Sequence, residues 1–139
     1  MCRPDLGIDL IEKLRNWASS YNAWVTIIDD KGQPNNGPFR ASRTLITLDP
    51  KTGKPTEHFD LLLYGHFMKF IQRGAVRVAS TAPTRNLATV AFRNPDQQLV
   101  LVVVNAGGQA RLLQLSWNRR VVSSKLPGKS VATFVWPPL

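Results

Sequence analysis

Hydrolysis by paired carboxylates, zinc binding and nucleophilic catalysis each need particular residue types at particular spacings, and this sequence supplies few of them. Only two glutamates occur, Glu12 and Glu57. Both fall on predicted helices, Glu57 in a first turn where its charge favours the helix dipole, and neither matches a catalytic motif. His58 and His66 are eight residues apart on one predicted helix, about 80° round its axis, so they do not form the i, i+4 pair of a zinc helix. His66 reads instead as a packed or hydrogen-bonded residue where that helix meets the next part of the chain. Cys2 is the only cysteine, which excludes an intrachain disulfide and a cysteine-based metal site. Ser19 and Ser20 lack a nucleophile-elbow context, and Gly107-Gly108 reads as a hairpin turn with no phosphate-loop pattern around it. No catalytic residue, metal site or cofactor is therefore expected within the chain. Phe92, Trp117, Phe134 and Trp136 leave two readings open, the core of a small sandwich or, if coplanar and exposed on one face, a carbohydrate-binding platform.

The elements that would position these residues divide into two kinds. From Asp5 to Trp17 the apolar Ile8, Ile11, Leu14 and Leu10, Leu14, Trp17 recur at three- and four-residue spacings, with Asp5 available as an N-cap, which predicts an amphipathic helix. Tyr21 to Ile28 is aromatic and β-branched and stops at Asp29-Asp30-Lys31-Gly32, so it reads as a buried strand closed by a turn. A long irregular connection follows, with only Thr44 to Leu48 suited to a short extended segment. Pro55-Thr56 opens a second predicted helix whose apolar face is Phe59, Leu62, Leu63, Phe67, Phe70 and Ile71 and which Gly74 stops.

After Gly74 the period changes from helical to extended. Residues 75–80, 87–93, 99–105, 111–117, 121–125 and 130–136 are strand-like runs separated by turn clusters such as Asn94-Pro95-Asp96-Gln97, which predicts a meander of about six antiparallel strands. Leu99 to Val104 is apolar on both faces and suits a central strand covered on both sides. Neither half buries its own strands alone, so a second layer is needed.

Composition narrows the function classes. A hydrophobic fraction of 43% with 19% charged residues is that of a packed globular chain, not a disordered one. No apolar run approaches the roughly 20 residues that span a bilayer, and no export signal is visible at Met1-Cys2-Arg3-Pro4-Asp5, which leaves localisation unknown. The formal charge of +9 raises a polyanion partner, but the bases are scattered and the only adjacent pair is Arg119 and Arg120, so a solvated basic surface is expected and no specific nucleic acid.

Several strings in order give the chain a family resemblance. They are Trp24, then Asp29 to Pro38, then Tyr64-Gly65-His66-Phe67-Met68-Lys69-Phe70-Ile71, then Gly74 to Val78, then Val90 to Asp96 leading into Leu99 to Asn105, and finally Leu126 to Trp136. Together they resemble the glucosylceramidase-like glycoside hydrolases of family 30. The resemblance implies a mainly β fold with two helices, an antiparallel β-sandwich over residues 74–139 preceded by a helix-strand-loop-helix remnant of a (β/α)8 barrel over residues 1–73. That remnant would be barrel helix 7 (Asp5 to Trp17), strand 8 (Tyr21 to Ile28) and helix 8 (Thr56 to Gln72).

The resemblance also implies a retaining β-glycosidase acting on β-glucosides or related β-linked glycans and glycolipids, through two carboxyl groups about 5 Å apart. Both would lie on barrel strands upstream of Met1, so the chain would be a C-terminal piece without a complete active site. Trp24 would then line the sugar site by stacking its indole on a pyranose face, with Asn35 and Asn36 bonding sugar hydroxyls. A buried strand tryptophan and a plain Pro-Asn-Asn-Gly-Pro turn are the alternatives, and Gln33 stands where the family often has glycine. The implied partners are a carbohydrate or glycolipid substrate met through the parent enzyme, and the rest of the barrel or a second copy covering an exposed sheet edge. A stand-alone carbohydrate-binding or interaction module is the alternative function, and polyanion binding through the +9 charge a third.

Overall fold

The computed structural model describes residues 4–34, 44–81, 84 and 86–138. Helix α1 (Pro4–Arg15) is followed by three short strands, β1 (Ile27–Asp29), β2 (Ile46–Leu48) and β3 (Pro55–Glu57), and by helix α2 (Phe59–Phe70). Six further strands complete the chain: β4 (Val76–Val78), β5 (Leu87–Arg93), β6 (Leu99–Asn105), β7 (Arg111–Trp117), β8 (Arg120–Leu126) and β9 (Ser130–Trp136).

The first part departs from expectation in two places. The buried strand expected from Tyr21 to Ile28 shrinks to β1, because an extended segment needs a bonded neighbour, and among the described residues backbone bonding to the β2 segment begins with the Val25 carbonyl, which accepts from Leu45 N–H, and the Thr26 carbonyl, which accepts from Ile46 N–H and Thr44 Oγ1. The second helix does not open at Pro55-Thr56. Those residues and Glu57 pair antiparallel with β2, which itself runs parallel to β1, and the helix starts only after His58. Pro55 lacks an N–H, and as the first residue of an outer strand it loses no ladder bond that matters.

The second part is a sandwich. The meander divides into a four-stranded sheet of order β4-β5-β6-β9 and a separate β7–β8 hairpin. After β6 the chain turns at Ala106-Gly107-Gly108 into the second layer, and β9 returns beside β6, in register from Leu99↔Trp136 to Asn105↔Ser130. The observed fold is thus two helices with mostly antiparallel strands, as the sequence reading required.

The two-residue period of β5 and β6 decides the core. Ala88, Val90, Phe92, Val100, Val102 and Val104 face the helices and pack on Leu10, Ile11, Leu63 and Phe67. Leu87 and Val103 face the other way, onto Leu113 and Leu126 of the hairpin. Each fully buried valine contributes on the order of 1.5–3 kcal/mol. β6 is covered by a layer on each face, which is why its sequence shows no polar alternation. Gly7 permits the close approach of α1, since a Cβ there would lie 2.9 Å from Val104 Cγ2.

Three polar side chains lock the parts together. Arg15 Nη1, at the end of α1, donates to the carbonyls of Ser80 (2.9 Å) and Thr89 (3.0 Å) and to Ser80 Oγ (3.0 Å). Asn94, just after β5, receives the end of α2, its Nδ2 donating to the Phe70 carbonyl (2.9 Å) and its Oδ1 accepting from Gln72 N–H (3.1 Å). Buried Asn105 holds the base of the hairpin, donating to the carbonyls of Gln109 and Pro127 (2.9 Å each) and accepting from Gly107 N–H (3.1 Å).

Candidate functional site

The aromatic and amide residues singled out from the sequence belong to the segment between α1 and β2. Trp24 is 82% exposed, so it is not a core tryptophan. It flanks a recess of about 250 Å³ whose walls include Leu6 of α1, Tyr21, Leu45, and Asp60 and Tyr64 of α2. Tyr21 and Tyr64 support that wall from below, their ring centroids 5.8 Å apart. The Trp24-Val25 peptide is cis. An exposed indole beside a recess with a carboxylate and two phenols can stack on an apolar ring face while hydroxyl groups find polar partners.

The chain leaves this region through a tight turn. Asp29 Oδ1 accepts from Lys31 N–H (2.9 Å) and Gln33 N–H (2.6 Å), and Gly32 adopts φ 81°, a left-handed conformation suited to glycine. Gln33-Pro34 is cis. Asn35 and Asn36 lie outside the described residues. Asp60 and Tyr64 were not foreseen as neighbours of Trp24. Their i, i+4 spacing puts them on one face of α2, but only the packing of α2 beside residues 21–25 turns that face toward the indole.

The titratable residues do not converge on a catalytic pair. Glu12 is exposed on α1, and Glu57 is exposed on β3 and not on a helix as expected. Among the described residues no three His, Cys, Asp or Glu side chains gather as metal ligands, and no helix is long and apolar enough to cross a membrane. His58 Nε2 lies 2.7 Å from Thr47 Oγ1, while His66 Nδ1 lies 2.8 Å from Thr133 Oγ1 of β9. His66 therefore sits at the helix-sandwich junction, as its sequence position suggested, and burial holds its imidazole below the ordinary histidine range.

The sandwich aromatics do not form a flat platform. Phe92 is buried in the core, and the rings of Phe134 and Trp136 are tilted by 31° with centroids 6.2 Å apart. Trp117 and Trp136 instead line an apolar cleft of about 690 Å³ between the four-stranded sheet and the hairpin.

Comparison with known proteins supplies a family. Residues 74–134 match the glycosyl hydrolase family 30 beta sandwich domain. Over 131 residues the chain is 30% identical to lysosomal acid glucosylceramidase of Mus musculus, covering 91% of this chain and 25% of that protein. Over 134 residues it is 28% identical to an endo-1,6-beta-D-glucanase of Neurospora crassa, covering 89% of this chain and 28% of that protein. The chain thus spans little more than a quarter of the length of these relatives. The crystal structure of SrfJ from Salmonella typhimurium superposes on 98% of this chain with a TM-score of 0.89 at 23% identity, covering 31% of that chain, and shows the same fold. The sequence matches show that this chain carries, over residues 74–134, the β-sandwich domain of glycosyl hydrolase family 30, and the shared architecture shows the same fold.

Proposed function

We propose that the chain serves as the C-terminal part of a retaining β-glycosidase of the glucosylceramidase-like group, cleaving β-glucosides or related β-linked glycans and glycolipids. Residues 1–73 supply the last elements of a (β/α)8 barrel and residues 74–139 the sandwich that braces it. The exposed Trp24 beside its recess carries this reading, because an 82% exposed indole gains little from water and gains a stacking surface from a sugar ring. Trp24, with Asn35 and Asn36 after it, lines the glycone site. The two catalytic carboxyl groups come from outside the chain, since Glu12 and Glu57 are exposed on separate elements. The substrate is reached through the parent enzyme, and the apolar cleft beside β7, which pairs only with β8, is covered by the rest of that enzyme or by a second copy.

The test is an assay of the 139-residue chain on an aryl β-glucoside. No turnover is expected. Robust turnover abolished by Glu12→Gln or Glu57→Gln overturns the proposal. An upstream reading frame lacking two glutamates at strand ends overturns it independently.

A further inference from the structure

Helix α1 ends on a residue of an unusual kind. Trp17 N–H donates to the Leu14 carbonyl (3.3 Å) and Ala18 N–H to the Lys13 carbonyl (3.0 Å), the pair of reversed bonds that closes a helix when the residue beyond its last turn is left-handed. Trp17 is that residue, with φ 71°. Glycine ordinarily fills the position, and a bulky side chain is strained there. The indole does not join the apolar stripe expected over Asp5 to Trp17 either, since it is 78% exposed. Neither backbone preference nor core packing accounts for a tryptophan at this point, and an outlier of this kind points to function.

A distant side chain meets this ring. Arg77, on β4, places its guanidinium carbon 4.3 Å from the centroid of the Trp17 ring, so a planar cation backs one face of the indole. Among the described residues Arg77 forms no ion pair and no hydrogen bond; its Nε is buried without a partner, while its Nη donors are not buried. Stacking on the indole is therefore what orients the guanidinium. Arg15, two residues before Trp17, ties the end of α1 to the carbonyls of Ser80 and Thr89, which fixes the helix end against the β4 side of the sheet. The result is an indole with one face backed, the other open, and unpaired N–H donors at its edge.

We propose that Trp17, backed by Arg77, is a second sugar-binding platform, taking one pyranose ring of a β-linked glycan chain. Such a ring presents a face of C–H groups that fits the open indole face, and a rim of hydroxyl oxygens that accept from Arg77 Nη. The helix-closing bonds and Arg15 hold the platform in place before the ligand arrives, so little side-chain freedom is lost on binding. It stands at the opposite end of α1 from the recess beside Trp24, which Leu6 lines. From Leu6 to Arg15 the helix rises about 14 Å at 1.5 Å per residue, so no single sugar ring touches both. A single-stranded nucleic acid also uses indoles and guanidinium groups, but it stacks successive bases on successive rings, and among the described residues no aromatic ring pairs with Trp17. The choice of a β-linked glycan rests on the proposed glycosidase function, whereas the platform rests on Trp17 and Arg77.

The experiment is affinity electrophoresis of the 139-residue chain through gels containing a soluble β-linked glucan or, as control, the α-linked glucan dextran, each mobility taken relative to a glucan-free gel. Retardation is expected with the β-glucan and not with dextran, and salt leaves it unchanged because the ligand is neutral. Trp17→Gly removes the indole at a backbone position that glycine adopts without strain, and weakens binding about tenfold. Trp17→Tyr keeps a ring and most of the binding. Arg77→Gln leaves the indole in place, weakens binding several-fold, and carries the test should Trp17→Gly fail to fold. Binding lost with Trp24→Ala but indifferent to Trp17→Gly overturns the second platform and leaves the glycosidase proposal standing. Absence of retardation by the β-glucan, or equal retardation by dextran, overturns it as well. So does salt-sensitive binding of single-stranded DNA, lost with Trp17→Gly, in place of glucan binding. Turnover of an aryl β-glucoside bears on the glycosidase proposal alone and is read independently of these mobilities.

Discussion

Replacing Asn94 tests whether the helical part and the sandwich form one cooperative unit. Its side chain is 2% exposed and holds two groups at the end of α2, the Phe70 carbonyl at 2.9 Å and the Gln72 N–H at 3.1 Å. Asn94→Ala removes both bonds, each worth about 1 kcal/mol net, and strands two backbone groups whose desolvation adds to the loss where water does not reach them. A destabilisation of about 2–4 kcal/mol follows, which for a chain of this length lowers the thermal midpoint by about 6–12 °C. Circular dichroism melts and urea titration measure it, and an unchanged urea slope shows that stability and not cooperativity changed. Asn94→Asp supplies a signature that packing alone does not. At neutral pH it keeps an acceptor for Gln72 but sets a carboxylate oxygen against the Phe70 carbonyl. Burial and that carbonyl raise the folded carboxyl's pKa, and protonation restores a donor, so the deficit relative to wild type narrows as pH falls through the raised folded value and is constant below the unfolded value of about 3.9. A loss for Asn94→Ala within about 0.5 kcal/mol, or a pH-independent deficit for Asn94→Asp, refutes the clamp.

Asn105→Ala frees the base of the hairpin by removing its bonds to Gln109, Pro127 and Gly107, and costs about 2–4 kcal/mol in a urea titration, with faster proteolysis between β7 and β8. Gly128→Ala destabilises by about 1–3 kcal/mol or more, because its Cβ would stand 2.3 Å from the backbone oxygen of Gly108 and one strand connection must shift. His66 is held below its ordinary pKa by burial, so its neutral form is the one the folded state favours. Its contribution is present above pH about 6.5 and is lost as pH falls through the lower folded value, and His66→Gln flattens that part of the stability-pH curve. Trp24→Ala leaves the unfolding free energy from urea titration within about 0.5 kcal/mol of wild type, as befits an exposed side chain, whereas a large drop would return Trp24 to the core.

Placing Asn94 and Arg15 at the junction also bears on the proposed role. Helix α2 ends on the sandwich through Asn94, and α1 ends on it through Arg15, so the recess beside Trp24 is tied to the sheet through both helices. A sandwich anchored in this way positions the Trp24 segment indirectly.

Apolar runs and turn residues located the longer strands. Runs of β-forming residues between turn clusters placed β5, β6, β7 and β9 at their observed bounds, and only β7 showed a clear two-residue alternation, because β6 is covered on both faces. The family of the sandwich domain was legible as well, since several short strings kept their order across the chain. The short strands were not legible. Residues 21–24 carry β-forming side chains but have no strand partner among the described residues, and Pro55-Thr56-Glu57 read as a helix start until β2 offered them a partner. Strand order likewise required the third dimension, because the turn after Asn105 sends the chain into a second layer and lets β9 pair with β6. The same holds for the sites. Trp24 was identifiable by type and position, but its exposure and its neighbours Asp60 and Tyr64 follow only from how α2 packs. Local sequence determines which residues alternate and where the chain turns, while the tertiary structure decides which unpaired backbone and which uncovered side chains meet.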